Sequence, residues 1–182
     1  MGWGKRVAIG AGVAGAAFVL AGLPLYVFPA RDEPRAVDAI YVIGPPTAVR
    51  IDLAESMIAD GLSDTLVVSI TDWEPNRVRY PRAVAVCEEP QAYTVYCHKP
   101  SPFTTRGEMR WMRELIDENG WESVAVITTR PHISRTRVIT KRCWDGDVLY
   151  LAPDEDLGPL AWIYHYFYQT GAFVKVGLER GC

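Results

Sequence analysis

The sequence predicts an α/β domain built on a doubly wound, mostly parallel sheet flanked by helices and preceded by one transmembrane helix. Three observations lead there. Short β-rich runs alternate with stretches of helical spacing. Those runs are apolar on consecutive positions, as only strands buried on both faces need to be. The segment from Val7 to Phe28 carries no charge at all. With 49% hydrophobic and 23% charged side chains in 182 residues, the chain can bury enough apolar surface to offset its ordering entropy, which excludes a disordered protein.

The N-terminal run, VAIGAGVAGAAFVLAGLPLYVF, is long enough to cross a hydrocarbon core of about 30 Å. Lys5 and Arg6 precede it, which by the positive-inside tendency holds the N-terminus in the cytoplasm and leaves the rest outside. Residues 1–30 are therefore expected to form a membrane anchor and residues 31–182 an extracytoplasmic domain at the plasma membrane. A cleaved signal peptide fits less well, because a cut after Ala30 would place Phe28 where a small residue is needed.

Beyond the anchor, DAIYVIG from Asp38 reads as a first strand, and Thr47 to Gly61 as a helix with Ala48, Ile51, Leu53, Ala54, Met57 and Ile58 at helical spacing. TLVVSI from Thr65, the weaker Tyr93 to Cys97, SVAVITT from Ser123 and DVLYLA from Asp147 supply further strands. Helices are expected over Thr104 to Asn119, ending at Gly120, and over the basic stretch Ile133 to Arg142. Thr71 to Glu89 breaks the alternation, and its prolines and arginines predict an excursion over the sheet. In the aromatic stretch Gly158 to Gly177, residues Leu160, Ile163, Tyr164, Phe167, Tyr168, Gly171 and Val174 form a stripe expected to pack on the sheet, with the other aromatics lining a pocket mouth or resting at the membrane interface.

Four cysteines, Cys87, Cys97, Cys143 and Cys182, permit two disulfides in an oxidising compartment. Spacing selects Cys87 with Cys97, which bracket one loop, and Cys143 with Cys182, which would tether the C-terminal tail.

Ligands of an open parallel sheet bind beyond the carboxyl ends of its strands. The polar or glycine-bearing places there are Gly44-Pro45-Pro46 with Arg50, Ser69 to Asp72, Thr104 to Glu108, and Thr128 to His132 with Arg135. Hydroxyls, helix N-termini and arginines converging in this way suit a phosphate or carboxylate. Each has a plainer reading: Arg50 solvated or paired with Asp52 or Glu55, Thr104 or Thr105 capping a helix with Glu108 reaching back to a backbone N–H, and His132 as a hydrogen-bonding group. His98 and His165 read as structural. Asp72, Glu74 and Glu108 are oxygen donors, but no spacing joins them into a metal shell, so no metal site is expected and no cofactor is specified.

The usual dinucleotide, P-loop, hydrolase-elbow and zinc-protease motifs are missing. A net charge of −3 offers no overall attraction to nucleic acid, and the five basic residues from Arg130 to Arg142 lack interleaved aromatics, so no nucleic-acid partner is expected and the stretch reads as a solvated charged face.

DAIYVIG followed by Arg50, the strand end LVVS, the TTRGE element and VAVITTRPHISRTR together resemble the SanA/ElyC/YdcF-like family of envelope-associated domains over about Asp38 to Arg142. The resemblance implies a membrane-anchored, outward-facing protein tied to peptidoglycan or lipid-carrier metabolism, and it places Arg50, Ser69, Thr105, Glu108, His132 and Arg135 at pocket positions. Where many members carry two glycines after the second strand's serine this chain has Ile70-Thr71, and where many have Glu-Asn it has Gly107-Glu108. The expected ligand is an anionic, phosphate-bearing or lipid-linked envelope metabolite. Gly44, Arg50, Ser69, Thr105, Thr128 and Arg135 would bind it, and His132 and Glu108 would serve acid-base work in phosphoryl or glycosyl transfer or hydrolysis. The alternative is a non-catalytic module that holds a lipid-linked precursor or a wall-synthesis partner.

Overall fold

The computed structural model describes residues 2–71 and 74–182. Helix α1 (Trp3–Gly22) runs into a wider π-helical turn (Leu23–Val27) that contains Pro24. Together they form the one helix among the described residues long and apolar enough to cross a membrane. At about 1.5 Å per residue its 25 residues reach roughly 37 Å, more than a hydrocarbon core needs. Its far end is embedded in the domain. Tyr26 is buried, its hydroxyl 3.1 Å from Thr170 Oγ1, and Ser134 Oγ donates to the Leu25 carbonyl at 2.8 Å. Asp32 then ties the linker to the sheet by accepting from the Tyr150 N–H.

The domain is a five-stranded, wholly parallel sheet in the order β3-β2-β1-β4-β5. The strands are β1 (Ala39–Val42), β2 (Thr65–Ser69), β3 (Thr94–His98), β4 (Ser123–Ile127) and β5 (Asp147–Leu151). Strand β1 is central and wholly buried, its Ile40 opposite Leu66 on one side and Ala125 on the other. Successive residues point to opposite faces. Ile40 and Val42 therefore join Ile51, Ala54 and Met57 of α2 (Ala48–Ala59) in one core, while Ala39, Tyr41 and Ile43 join Met109, Met112 and Ile116 of α5 (Thr105–Asn119) in the other. This double burial is the physical source of the uniformly apolar strands. After β3 the chain returns to pair β4 with β1, so β1 and β4 flank the topological switch point where a ligand crevice forms.

From residue 74 onward the stretch predicted as an excursion is largely helical: α3 (Glu74–Arg79) and α4 (Pro81–Glu88), both lying between β2 and β3 in the chain. Pro81 occupies the first turn of α4, where its missing N–H costs nothing, and Ala83 and Val86, three apart, are buried. Proline here starts a helix and does not break one. Arg82 faces outward and pairs with Asp52 and Glu55. Asp72, in the second polar strand end, lies outside the described residues.

Helix α6 (Ile133–Cys143) also departs from expectation. Its basic residues form a solvated face only in part: Lys141 and Arg142 are exposed, and the others are drawn inward. Arg137 stacks 4.1 Å over the Tyr150 ring and pairs with Asp32, Arg142 donates to the carbonyls of Val176 and Glu179, and Arg135 turns into the interior. The stripe expected to pack α7 (Pro159–Leu178) on the sheet is real in spacing but faces the other way: Leu160, Ile163, Tyr164, Phe167, Tyr168 and Val174 are all exposed, and the buried positions are Gln169 and Val176. Trp162, Tyr166, Phe173 and Val176 give α7 apolar residues off the stripe as well, so periodicity alone cannot tell which side the domain covers.

Both expected disulfides are present, Cys87–Cys97 and Cys143–Cys182, with Cα separations of 5.9 and 4.6 Å. The second closes a 39-residue separation and holds the C-terminal residue against α6, where the Arg110 guanidinium also donates to the Cys182 carbonyl at 2.6 Å. Replacing Cys143 and Cys182 together by serine is expected to lower unfolding stability by about 2–4 kcal/mol, measured against the native chain by denaturant titration in detergent. A loss below about 0.5 kcal/mol would show that the tail is held by its other contacts.

Candidate functional site

A cleft of about 980 Å³ opens at the carboxyl edge of the sheet, lined by the loop after β1, the starts of α2, α5 and α6, the segment after β5, and one side of α7. The loop after β1 contains a cis Gly44-Pro45 bond. Arg50, one turn into α2, reaches back under this loop to donate from its terminal nitrogen to the Pro45 carbonyl at 2.8 Å. Its Nε lies 3.4 Å from Glu155 Oε1, an ion pair without hydrogen-bond geometry. Arg50 is only 4% exposed. Burial pulls its pKa down from the usual value and Glu155 pushes it back up, and an arginine remains a cation throughout.

Thr104 caps α5, its hydroxyl oxygen accepting from the Gly107 N–H at 3.3 Å. Gly107 is fixed sterically, since a Cβ there would collide with the Pro102 carbonyl oxygen. With Thr104 as cap, Glu108 falls one position too far for the reciprocal capping bond, and its carboxylate instead accepts from the Gly44 N–H at 2.6 Å. That contact fastens the loop after β1 to the start of α5. Burial raises the Glu108 pKa above its ordinary 4.5, against the opposing pull of the Gly44 N–H, the Ser69 hydroxyl and the charges of Arg135 and Arg50.

His132 closes the short 3₁₀ turn Arg130–His132 ahead of α6. Thr128 Oγ1 lies 2.9 Å from its Nδ1 and Thr105 Oγ1 3.4 Å from its Nε2. Burial, followed by the charges of Arg135, Arg50 and His165, holds its pKa well below 6.5. The ring is therefore neutral at physiological pH, with one nitrogen able to accept a proton. Arg135, 8% exposed, donates from Nε to Gln169 Oε1 at 2.8 Å and approaches Thr105 Oγ1 at 3.4 Å.

The structure thus brings Gly44, Arg50, Thr105, Glu108, His132 and Arg135 to one cleft. Ser69 and Thr128 lie beneath it: both are fully buried, Ser69 bonded to the Tyr41 hydroxyl at 3.0 Å and Thr128 to His132. Arg50 does not pair with Asp52 or Glu55, which serve Arg82. His98 packs on Trp111 with ring centres 5.1 Å apart, whereas His165 lines the cleft. Among the described residues no group of three or more His, Cys, Asp or Glu side chains is placed to hold a metal.

Sequence reasoning missed Glu155, Gln169 and the place of His165. Glu155 also accepts from Thr129 Oγ1 at 2.7 Å, so it braces both sides of the switch point. Its signal was present: it sits just past the last strand, where the strand-end rule points. Gln169 gave none, being a single amide among aromatics.

The pKa directions fix a pH dependence. Below about pH 6.5 the unfolded chain binds a proton that folded His132 refuses, so its contribution to stability is full above that value and falls as pH drops through the window. Glu108 has the opposite sign: its contribution is full below 4.5 and is lost as pH rises through its raised value. His132→Asn, which keeps a partner for Thr128, is expected to flatten the fall in melting temperature between about pH 6.5 and 5 relative to the native chain. An unchanged slope would assign that fall to other groups.

These features define a single-pass, membrane-anchored α/β protein with a cationic, partly apolar cleft at the switch point of its sheet. Compared with known proteins, the chain matches no family model, no curated protein and no solved structure.

Proposed function

We propose that the chain is an outward-facing cell-envelope protein of the SanA/ElyC/YdcF-like type that binds an anionic, phosphate-bearing envelope metabolite in this cleft. It would support peptidoglycan or lipid-carrier metabolism by phosphoryl or glycosyl transfer or hydrolysis. The observation that carries the reading is the pair of buried arginines. Arg50 and Arg135 are held on separate helices at one cleft, and Thr47 Oγ1, Arg50 Nε and His165 Nδ1 in its walls have no hydrogen-bond partner. Buried cations and unpaired polar atoms are costly unless a ligand or water completes them, and an anion bearing several acceptor oxygens does so. Two disulfides agree with an oxidising compartment.

In the catalytic form of this proposal, neutral His132 takes a proton from a nucleophile, Glu108, whose pKa is raised, donates one to the leaving group, and the arginines neutralise charge that develops between them. Both side chains line the cleft, which favours this form over a holding module, for which the arginines alone would suffice.

Titration of the detergent-solubilised full chain with pyrophosphate tests the site. Saturable binding is expected, weakened about 10–100-fold by Arg135→Lys, which keeps the charge but loses the fork that fits a phosphate. Equal binding by both chains would remove Arg135 from the site. A reporter active only in the cytoplasm, fused after Cys182, is expected to be silent; strong signal would reverse the orientation.

A further inference from the structure

Helix α7 turns a mixed face of polar and apolar residues to the domain and leaves an apolar stripe uncovered. Gln169 and Val176 are buried on the inner face, where His165 and Ala172 also line the cleft. On the outer face Leu160, Ile163, Phe167, Val174 and Leu178 are each more than half exposed, Leu160 and Leu178 at 82% and 81%, and the exposed Lys175 flanks the stripe only near its end. A monomer in water would have no use for such a stripe over the full length of a 20-residue helix.

The stripe is continuous with the membrane span. Phe18 of α1 stacks on Phe167 with ring centres 5.7 Å apart and meets Tyr166 edge-on at 5.9 Å. The Tyr166 hydroxyl donates to the Val19 carbonyl at 3.2 Å, and its ring fills the notch at Gly22, where a Cβ would collide with it. Phe18, Val19 and Gly22 all lie inside the 25-residue helix Trp3–Val27. A bilayer that surrounds α1 at that level also meets Phe167.

We propose that α7 is a second membrane contact: its outer face lies in the boundary between headgroups and acyl chains on the domain's side of the bilayer, with lipid as its occupant. The physics is that of an interfacial amphipathic helix. The apolar face enters lipid, and the other face stays on the protein. Tyr164 and Tyr168, about half exposed and also lining the cleft, then stand at the polar edge of the interface, where amphipathic rings are favoured. The same helix would have lipid on one side and the cleft on the other. The site would therefore open at the membrane surface, whatever ligand it takes.

The full chain, reconstituted in liposomes of phosphatidylcholine and phosphatidylglycerol, carries p-benzoylphenylalanine in place of Ile163, Phe167 or Val174 in turn. A control carries it in place of Glu118, which is exposed near the end of α5. Retention of both disulfides in each variant confirms folding. After irradiation, mass spectrometry is expected to find lipid adducts at all three α7 positions and none at the control. Adducts to a second copy of the chain would make the stripe a dimer interface, and no adducts above the control would leave it in water; either result overturns the proposal. Pyrophosphate binding by the same liposomes reports on the cleft independently, so failure of one reading is not mistaken for failure of the other.

Discussion

Arg50→Met is expected to destabilise the fold by about 3–5 kcal/mol, because it leaves the Glu155 carboxylate largely buried without its cation. The Glu155 side chain is 17% exposed, and its remaining partner is the Thr129 hydroxyl. The same substitution removes one of the two donors to the Pro45 carbonyl, which keeps only the Thr47 N–H at 2.9 Å. The double variant Arg50→Met, Glu155→Gln removes both charges and keeps an acceptor for Thr129, and is expected to recover most of the loss, to within about 1 kcal/mol of the native chain. Pyrophosphate binding should stay low in both variants, since the cation is gone from both. Denaturant unfolding in detergent and titration of the same samples measure the two quantities. A double variant as unstable as the single one would place the cost in packing around the loop, and one that regained binding would show that Arg50 serves only the fold.

That pairing also marks how far the sequence could be read. The strands were legible because burial on both faces leaves no choice but uniformly apolar runs, and parallel pairing follows from that double burial. The disulfide partners were legible from spacing, since Cys87 and Cys97 bracket one short loop. The cleft was legible in part because the neighbouring strands β1 and β4 end in register at Val42 and Ile127, so the residues just past those ends, Gly44 and Thr128 among them, lie at one edge of the sheet. What stayed hidden depends on facing. α7 carries apolar and aromatic residues on more than one side, and periodicity identifies a stripe without saying what lies opposite it. The prolines of the segment after β2 point, with its arginines, to an excursion over the sheet because the place of Pro81 in a first turn is not visible without the helix. Glu155 was reachable by the same strand-end rule that found His132, but Gln169 acquires its meaning only from Arg135, 34 positions earlier in the chain.

Glu108→Gln separates structure from chemistry at the other side of the cleft. The carboxylate of Glu108 accepts from the Gly44 N–H at 2.6 Å, and an amide oxygen can accept from the same donor. Burial already disfavours the charged form, so neutralising the side chain should leave the unfolding free energy within about 1 kcal/mol of the native value above pH 6, or raise it. The glutamine cannot give up a proton as a carboxylic acid does. If Glu108 is the acid that serves the leaving group, turnover should fall by about 10²–10⁴-fold, the usual worth of a positioned general acid. Expressed in place of the native chain in its own host, the variant should accumulate in the membrane at native level and still bind pyrophosphate, yet, on the proposed function, fail to correct whatever defect deletion of the native chain produces. Glu108→Ala, by contrast, leaves the Gly44 N–H without an acceptor and opens a cavity behind the loop, so it should lose stability as well as activity. Full correction by the glutamine variant would mean that Glu108 only fastens the loop after β1 to α5, and the acid would then have to be sought among the other groups of the cleft.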